Sequence, residues 1–316
     1  MSLTLESAEA AEPEPEPEPS GREAEPQPAA APAAPADRVG MWFVGVSLTV
    51  LGALLIGFLA DVWVIGSLRH SRDQQVEYAA FRYALANASA PVGPLDTNGR
   101  VVAIGTPVAL LEIPELGMRQ VVAEGTSSSV LMSGPGHLPG TVLPGQAGIS
   151  VIMARRVLYG GPFHYLDQMH ANDTFTVTTG QGSSTYRVID VRRANDPLPP
   201  DLKVNQGRLT LMTADGDAYI PTDILRVDAE LISKVQPTPS RLFDTNPPNE
   251  NALAGEPAAW MPLVLWAQAL VLAAIALTWA RLRWGARQAW LVGVPTLGML
   301  GLAVANEIAR LLPNLI

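Results

Sequence analysis

The chain has 316 residues, 48% hydrophobic and 16% charged, with a formal net charge of −9. That length exceeds one ordinary compact domain, and the apolar bias points to membrane segments; with no basic stripe to neutralise phosphates, nucleic-acid binding has little support and none is expected. Zero cysteines exclude disulfides, thiolate metal sites and any thiol nucleophile.

The acidic charge is concentrated at the start: residues 1–36 hold eight Glu against one Arg, a net of −7. Glu-Pro and Ala-Pro repeats with few large apolar side chains cannot offset the entropy of ordering. Residues 1–40 are therefore read as a disordered acidic tail. From Met41 to Gly66 the chain is almost wholly apolar, with Asp61 its only charge. At about 1.5 Å per residue this stretch can cross a hydrocarbon core of roughly 30 Å, which makes it the first transmembrane helix. Residues 67–104 read as a juxtamembrane helix, with Tyr78, Phe81, Tyr83 and Leu85, and a linker.

Between 105 and 234 the pattern changes to short β-like runs separated by turn formers: Val108–Ile113, Met118–Val122, Gly148–Ala154, Thr174–Thr179, Thr185–Val191, Leu209–Thr213 and Leu225–Leu231. Strands at such spacing predict a sandwich or barrel. Residues 235–257, rich in Pro, Asn and Ser, read as a linker back to the membrane.

Two more spans, 258–280 and 289–312, flank a basic loop at 281–288 with Arg281, Arg283 and Arg287. Short Arg-rich loops stay cytoplasmic, so parity puts the N-terminus inside and the middle region outside a plasma membrane. Arg69 and Arg72, just after the first span, argue weakly the other way. Trp260, Trp266, Trp279, Trp284 and Trp290 cluster near the proposed interfaces.

Several motifs in the middle region occur in an order that resembles the sortase family. Ala109-Leu-Leu-Glu-Ile-Pro-Glu-Leu-Gly117 is similar to its opening "L-x-I-P-x-L-G", and Val121-Val-Ala-Glu-Gly-Thr126 to "V-V-x-E-G-T". Gly134-Pro-Gly-His-Leu-Pro-Gly-Thr-Val-Leu-Pro-Gly145 resembles the Pro-Gly-His loop. Tyr159-Gly-Gly-Pro-Phe163 with Leu166-Asp167, and Leu209-Thr-Leu-Met-Thr213, follow in turn. The resemblance implies a mainly β fold: an eight-stranded sortase-like barrel with short helices, here joined to three transmembrane helices. It also implies a Gram-positive cell-surface setting.

Sortases cut a sorting signal with a Cys nucleophile, a His acid/base and an Arg that steadies the oxyanion. Carried over by motif, the Cys position falls on Ala214, the His position on Arg155 and the Arg position on Ile224. A methyl group cannot attack a carbonyl, and a guanidinium does not deprotonate near neutral pH. The resemblance thus implies a degenerate site without activity. His137, Arg155, Arg156, Thr213 and Asp215 are the candidate cleft or binding residues, and Arg155 is expected to pair with Asp215 or Asp217.

Other signals are read as structural. His137 lies in the Pro-Gly-His loop and is assigned a loop-structuring role. His164 and His170 lack the spacing that puts two ligands on one helix face, and Asp215-Gly-Asp217 lacks the other ligands of a calcium loop. No metal or cofactor is expected. Ser127, Ser128 and Ser129 form a polar cluster with no base in a familiar arrangement.

Three functions compete. The first is an inactive membrane-anchored module that binds or scaffolds a surface protein bearing a sorting signal, a pilin or an active sortase. The second is a structural subunit whose helices in the lipid bilayer make the main contacts, the barrel being a spacer. The third is an enzyme with a relocated nucleophile.

Overall fold

The computed structural model describes residues 41, 45, 48–49, 52, 55–217, 220–240 and 248–316. The acidic tail and much of the first expected span therefore lie outside the described residues. The chain divides into Met1–Thr49, of which the four described residues are helical, and Val50–Ile316, which holds everything that follows.

Residues 55–60, a π-helical turn at Asp61–Ile65 and α1 (Gly66–Ala86) form one uninterrupted helical run. The expected boundary at residue 66 is not a break. α1 ends where Ala88 takes the left-handed conformation (φ 52°) and the Ala84 carbonyl accepts from the Ser89 and Ala90 amides. Its Phe81 is buried against Leu110 and Val121 of the barrel. The Gln74 amide braces the adjacent strand, accepting from the Val121 N–H at 2.7 Å and donating to the Val121 and Ser133 carbonyls. A Cβ at Gly134 would stand 2.1 Å from Gln74 Nε2, so a side chain there would displace that bracing amide.

Eight strands close into a barrel in the order β1-β2-β3-β4-β7-β8-β6-β5. They are β1 (Pro107–Ile113), β2 (Met118–Glu124), β3 (Gly136–His137), β4 (Gly148–Met153), β5 (Thr174–Thr179), β6 (Gly182–Arg192), β7 (Gly207–Asp217) and β8 (Ile220–Leu231). The seven β-like runs of the sequence all become strands. The eighth, β3, is two residues long, too short to carry a period-two signal. β2–β3 and β4–β7 pair in parallel; the other neighbours are antiparallel. Closure removes exposed edges, and inward side chains such as Leu111, Ile152, Phe163, Phe175, Tyr186 and Leu211 fill the interior.

β7 is buried along most of its length, as expected of a strand covered on both faces. Leu209 and Leu211 point into the barrel, while Met212 and Ala214 join a second apolar cluster on the outer face. A short helix, α2 (Ser128–Leu131), borders that face.

The chain closes with two long helices, α3 (Trp260–Trp284) and α4 (Ala286–Leu311). Their apolar stretches, Pro257–Arg281 and Arg287–Leu311, have mean hydropathies of 2.0 and 1.5 and are long enough to cross a membrane. Only 6% and 17% of their most apolar windows are buried, so neither is the core helix of a soluble domain. The expected basic loop at 281–288 is helical except at Gly285, whose φ of 99° allows the tight reversal. The segment expected to be a plain linker is tied down: the Gln146–Gln236 bridge anchors one end. At the other, the Glu250 carboxylate accepts from the Thr126 N–H and, at 2.9 Å, from Thr126 Oγ1. Glu256 pairs with Arg310 of α4 at 2.7 Å.

Candidate functional site

Strand alternation builds the site. On β4 the outward set is Val151 and Met153, and the next outward position beyond the strand is Arg155. On the parallel neighbour β7 it is Met212 and Ala214. Ile224 of β8 stands opposite Ala214 in the β7–β8 register. The three positions singled out in the sequence thus converge at one end of the β4–β7–β8 face. Thr213 alternates inward; its hydroxyl donates to the Ala154 carbonyl at 2.9 Å, so it braces β4 against β7.

Arg155 has 0% exposure. Its guanidinium donates to Ser128 Oγ at 2.6 Å, to the Ser128 carbonyl at 3.4 Å and to the main-chain oxygen of Ile316 at 3.3 Å. It also lies 5.2 Å from the centre of the Tyr159 ring. Among the described residues no Asp or Glu carboxylate lies within ion-pair reach of it, and Nε has no hydrogen-bond partner. Burial pushes its pKa down to about 10, against a raising effect of Tyr159, so it stays a cation at neutral pH. The expected pairing with Asp215 does not form. Adjacent side chains at the end of a strand diverge, and it is Arg156 that reaches Asp215, at 3.4 Å, with Arg193 on the other carboxylate oxygen at 2.6 Å.

Tyr159 sits in the left-handed region (φ 53°), at a cost of about 1–2 kcal/mol for a non-glycine residue. Gly66 of α1 opposes its ring so closely that a Cβ would lie 3.0 Å from Cδ1. Phe58, Ala309, Leu312 and Ile316 complete its apolar surroundings. The helices on either side of the barrel in sequence therefore meet at the Arg155 end of the cleft.

The cleft floor is covered. The side chain of Leu315 packs in one cluster with Leu131, Val151, Met153, Ala214 and Ala252, and Ile224 lines it. The Arg156 N–H donates to the Leu315 carbonyl at 3.0 Å. Asn314 is fixed by its N–H to the Ala254 carbonyl at 2.9 Å, and by Nδ2 to the Asn249 and Asn251 carbonyls at 2.8 Å each.

His137 is not part of this group. It lies in β3, buried, with Nδ1 at 2.8 Å from Glu124 and Nε2 at 3.0 Å from both the Val142 carbonyl and Thr141 Oγ1. Burial opposes its charge, but the Glu124 carboxylate outweighs that and holds its pKa above the ordinary value. It lines a separate cavity of about 410 Å³, with Val102, Leu143 and Glu250. Nε2 thus faces its own Pro-Gly-His loop, while Nδ1 faces β2. Among the described residues no group of three His, Asp or Glu could hold a metal ion.

Sequence reasoning did not find Ser128 as the partner of Arg155, nor Leu315 and Ile316 in the cleft. One signal was present. Pro313 ends the last helix, which leaves Leu315 and Ile316 as apolar residues beyond any span.

The closed eight-stranded barrel with its parallel β4–β7 pair is a sortase fold. Residues 111–226 match the sortase domain family model, so the chain carries a sortase domain. Similar solved structures include sortase C1 from Streptococcus suis, at 30% identity over 41% of this chain and 74% of that one (TM-score 0.36). Sortase E1 from Streptomyces coelicolor, solved with a tripeptide in the active site, is 25% identical over 41% of this chain and 90% of that one (TM-score 0.37). A Clostridium perfringens sortase D5 transpeptidase is 20% identical over 53% of this chain and 100% of that one (TM-score 0.43). No curated protein matches the chain.

Proposed function

We propose that this chain is a catalytically inert sortase-domain protein, anchored in the plasma membrane by its apolar helices, that holds a cell-surface partner without cutting it. One observation supports the reading: the three positions that the motif resemblance aligns with a sortase's Cys, His and Arg lie together at one end of the β4–β7–β8 face, and they bear a methyl group, a guanidinium and an aliphatic chain. Ser128 beside Arg155 does not restore a nucleophile, because its neighbour is a cation and not a base. The partners that fit are a surface protein with a sorting signal, a pilin or an active sortase. Arg281, Arg283 and Arg287, gathered about the α3–α4 reversal, support a cytoplasmic tip and an external barrel.

A second reading is favoured by the burial of the cleft face against Leu315 and by the Glu256–Arg310 pair. In it, barrel and hairpin act as one block within a membrane complex. Native co-purification from gently solubilised membranes tests both. A sortase or sorting-signal protein recovered with the chain supports the first reading, and fixed-ratio membrane subunits alone support the second. Recovery of no partner at all would overturn both.

A further inference from the structure

A cavity of about 410 Å³ lies between the Pro-Gly-His loop, the end of β2 and the stretch that follows α1. That volume falls within the range of about 300–1,000 Å³ typical of small-molecule sites. None of the residues clustered at the β4–β7–β8 face lines it. Its walls are mostly aliphatic. Val102, Val142 and Leu143 are buried there, while Val101 and Ile104 line it and remain more than half exposed, which leaves the cavity an open mouth.

The charged groups on these walls do not balance. Glu124 and Glu250 bring two carboxylates, and His137 is the one basic side chain among the described lining residues. His137 Nδ1 lies 2.8 Å from Glu124 Oε2, so a protonated imidazole and Glu124 make a pair with no net charge. The raised pKa of His137 favours that state. Glu250 is 3% exposed and meets only neutral donors, the Thr126 N–H and hydroxyl, both on Oε2. Such donors orient a buried carboxylate but supply no countercharge. Oε1 of Glu250 has no donor among the described residues. An occupant with N–H donors and one positive charge meets both demands.

The same lining sorts ligand classes. It contains no described Lys or Arg, so a carboxylate or phosphate ligand would meet two like charges and a single imidazole. It contains no described Phe, Tyr or Trp, so the aromatic cage that holds a quaternary ammonium is missing. Glu124, His137 and Glu250 do not form a group that could hold a metal ion.

We propose that this cavity binds a small amine, with a primary ammonium on the Glu250 carboxylate and a compact aliphatic body against Val102, Val142 and Leu143. The amine is a bound ligand held apart from Ala214 and Arg155, not a reactant. The proposal goes beyond the inert-module reading and does not depend on it.

Cyclohexylamine is the probe, because near pH 7 an alkylamine with a pKa of about 10 is a cation. Full-length protein in zwitterionic nanodiscs, titrated by calorimetry against empty nanodiscs, is expected to bind it with a Kd of about 1 mM or below. Cyclohexanol and cyclohexanecarboxylate, which share its shape, should bind at least about tenfold more weakly. Glu250→Gln keeps an acceptor for Thr126 and should weaken amine binding about tenfold, with cyclohexanol unchanged. Ile104→Trp, at the exposed mouth, should block the amine, and Arg155→Met should leave its binding unaltered. If Glu250→Gln does not fold, the preference for amine over cyclohexanol and its loss in Ile104→Trp decide the matter. No binding of the amine to the full chain, or equal binding of cyclohexanol, would overturn the proposal. So would amine binding that persists in Glu250→Gln or in Ile104→Trp, or that is lost in Arg155→Met.

Discussion

Ala214 of β7 and Leu315 beyond α4 lie in the same buried apolar cluster, so the Ala214 methyl group forms part of a packing surface. Truncation of Leu315 should therefore cost what core truncation costs. Leu315→Ala is expected to lower stability by about 2–5 kcal/mol, and Leu315→Asp by more, because it buries an unpaired carboxylate. Urea unfolding in detergent measures both. A change below about 0.5 kcal/mol, typical of surface sites, would show that the contact does not stabilise the protein.

Arg155 is a buried cation with no Asp or Glu carboxylate in ion-pair reach among the described residues, so its two ends are predicted to respond unequally. Arg155→Met removes the desolvated charge and its unpaired Nε but also the donor to Ser128 Oγ and the Ile316 oxygen, so the two effects offset and the net change should stay within about 1 kcal/mol. Ser128→Ala keeps the charge but removes its shortest acceptor, at 2.6 Å, and should cost about 1–3 kcal/mol. Unfolding midpoints of the two variants give the order directly.

Glu77 on α1 supplies a pH dependence. Burial, with a further push from the Asp73 carboxylate, raises its pKa from 4.5 to about 7, while Gln74 Nε2 donates to it at 3.3 Å. The folded value lies above the unfolded one, so stability is fully present below about pH 4.5 and is lost as pH rises through about 7. After allowance for partial exposure the wild type should lose about 1–2 kcal/mol by pH 8, which Glu77→Gln retains. Stability measured against pH for both proteins checks this.

Ala214→Cys alone is predicted to give no cleavage of a sorting-signal peptide. The thiol would still lack a base, since Arg155 is a cation, and an oxyanion partner, since Ile224 is aliphatic. Product analysis by mass spectrometry after prolonged incubation reads the result.

The barrel was legible because its strands carry period-two burial and its turns carry the family's Gly and Pro. β3 escaped because two residues hold no period. Motif order singled out Ala214, Arg155 and Ile224, and the register sets Ala214 opposite Ile224 with β7 beside β4, just beyond which Arg155 lies. The partner of Arg155 was not. Spacing along a sequence does not say which of two adjacent arginines turns outward, and here Arg156 takes Asp215 while Arg155 turns to Ser128. The occupied cleft was hidden for a related reason. Leu315 and Ile316 are apolar residues after an apolar helix, and hydropathy alone cannot separate a span from a segment that turns back into a groove. The tethers of 248–256 were equally silent, because Pro- and Asn-rich stretches read as linkers whether or not they pack.

The central claim is a sortase domain kept without sortase chemistry, and peptide turnover tests it most directly. Purified full-length protein in lipid nanodiscs would be incubated with sorting-signal peptides and an amine acceptor, and products followed by mass spectrometry. The account predicts no cleaved or joined product above a heat-denatured control. Sustained, protein-dependent formation of either product would contradict it and would require a nucleophile other than the residue at Ala214.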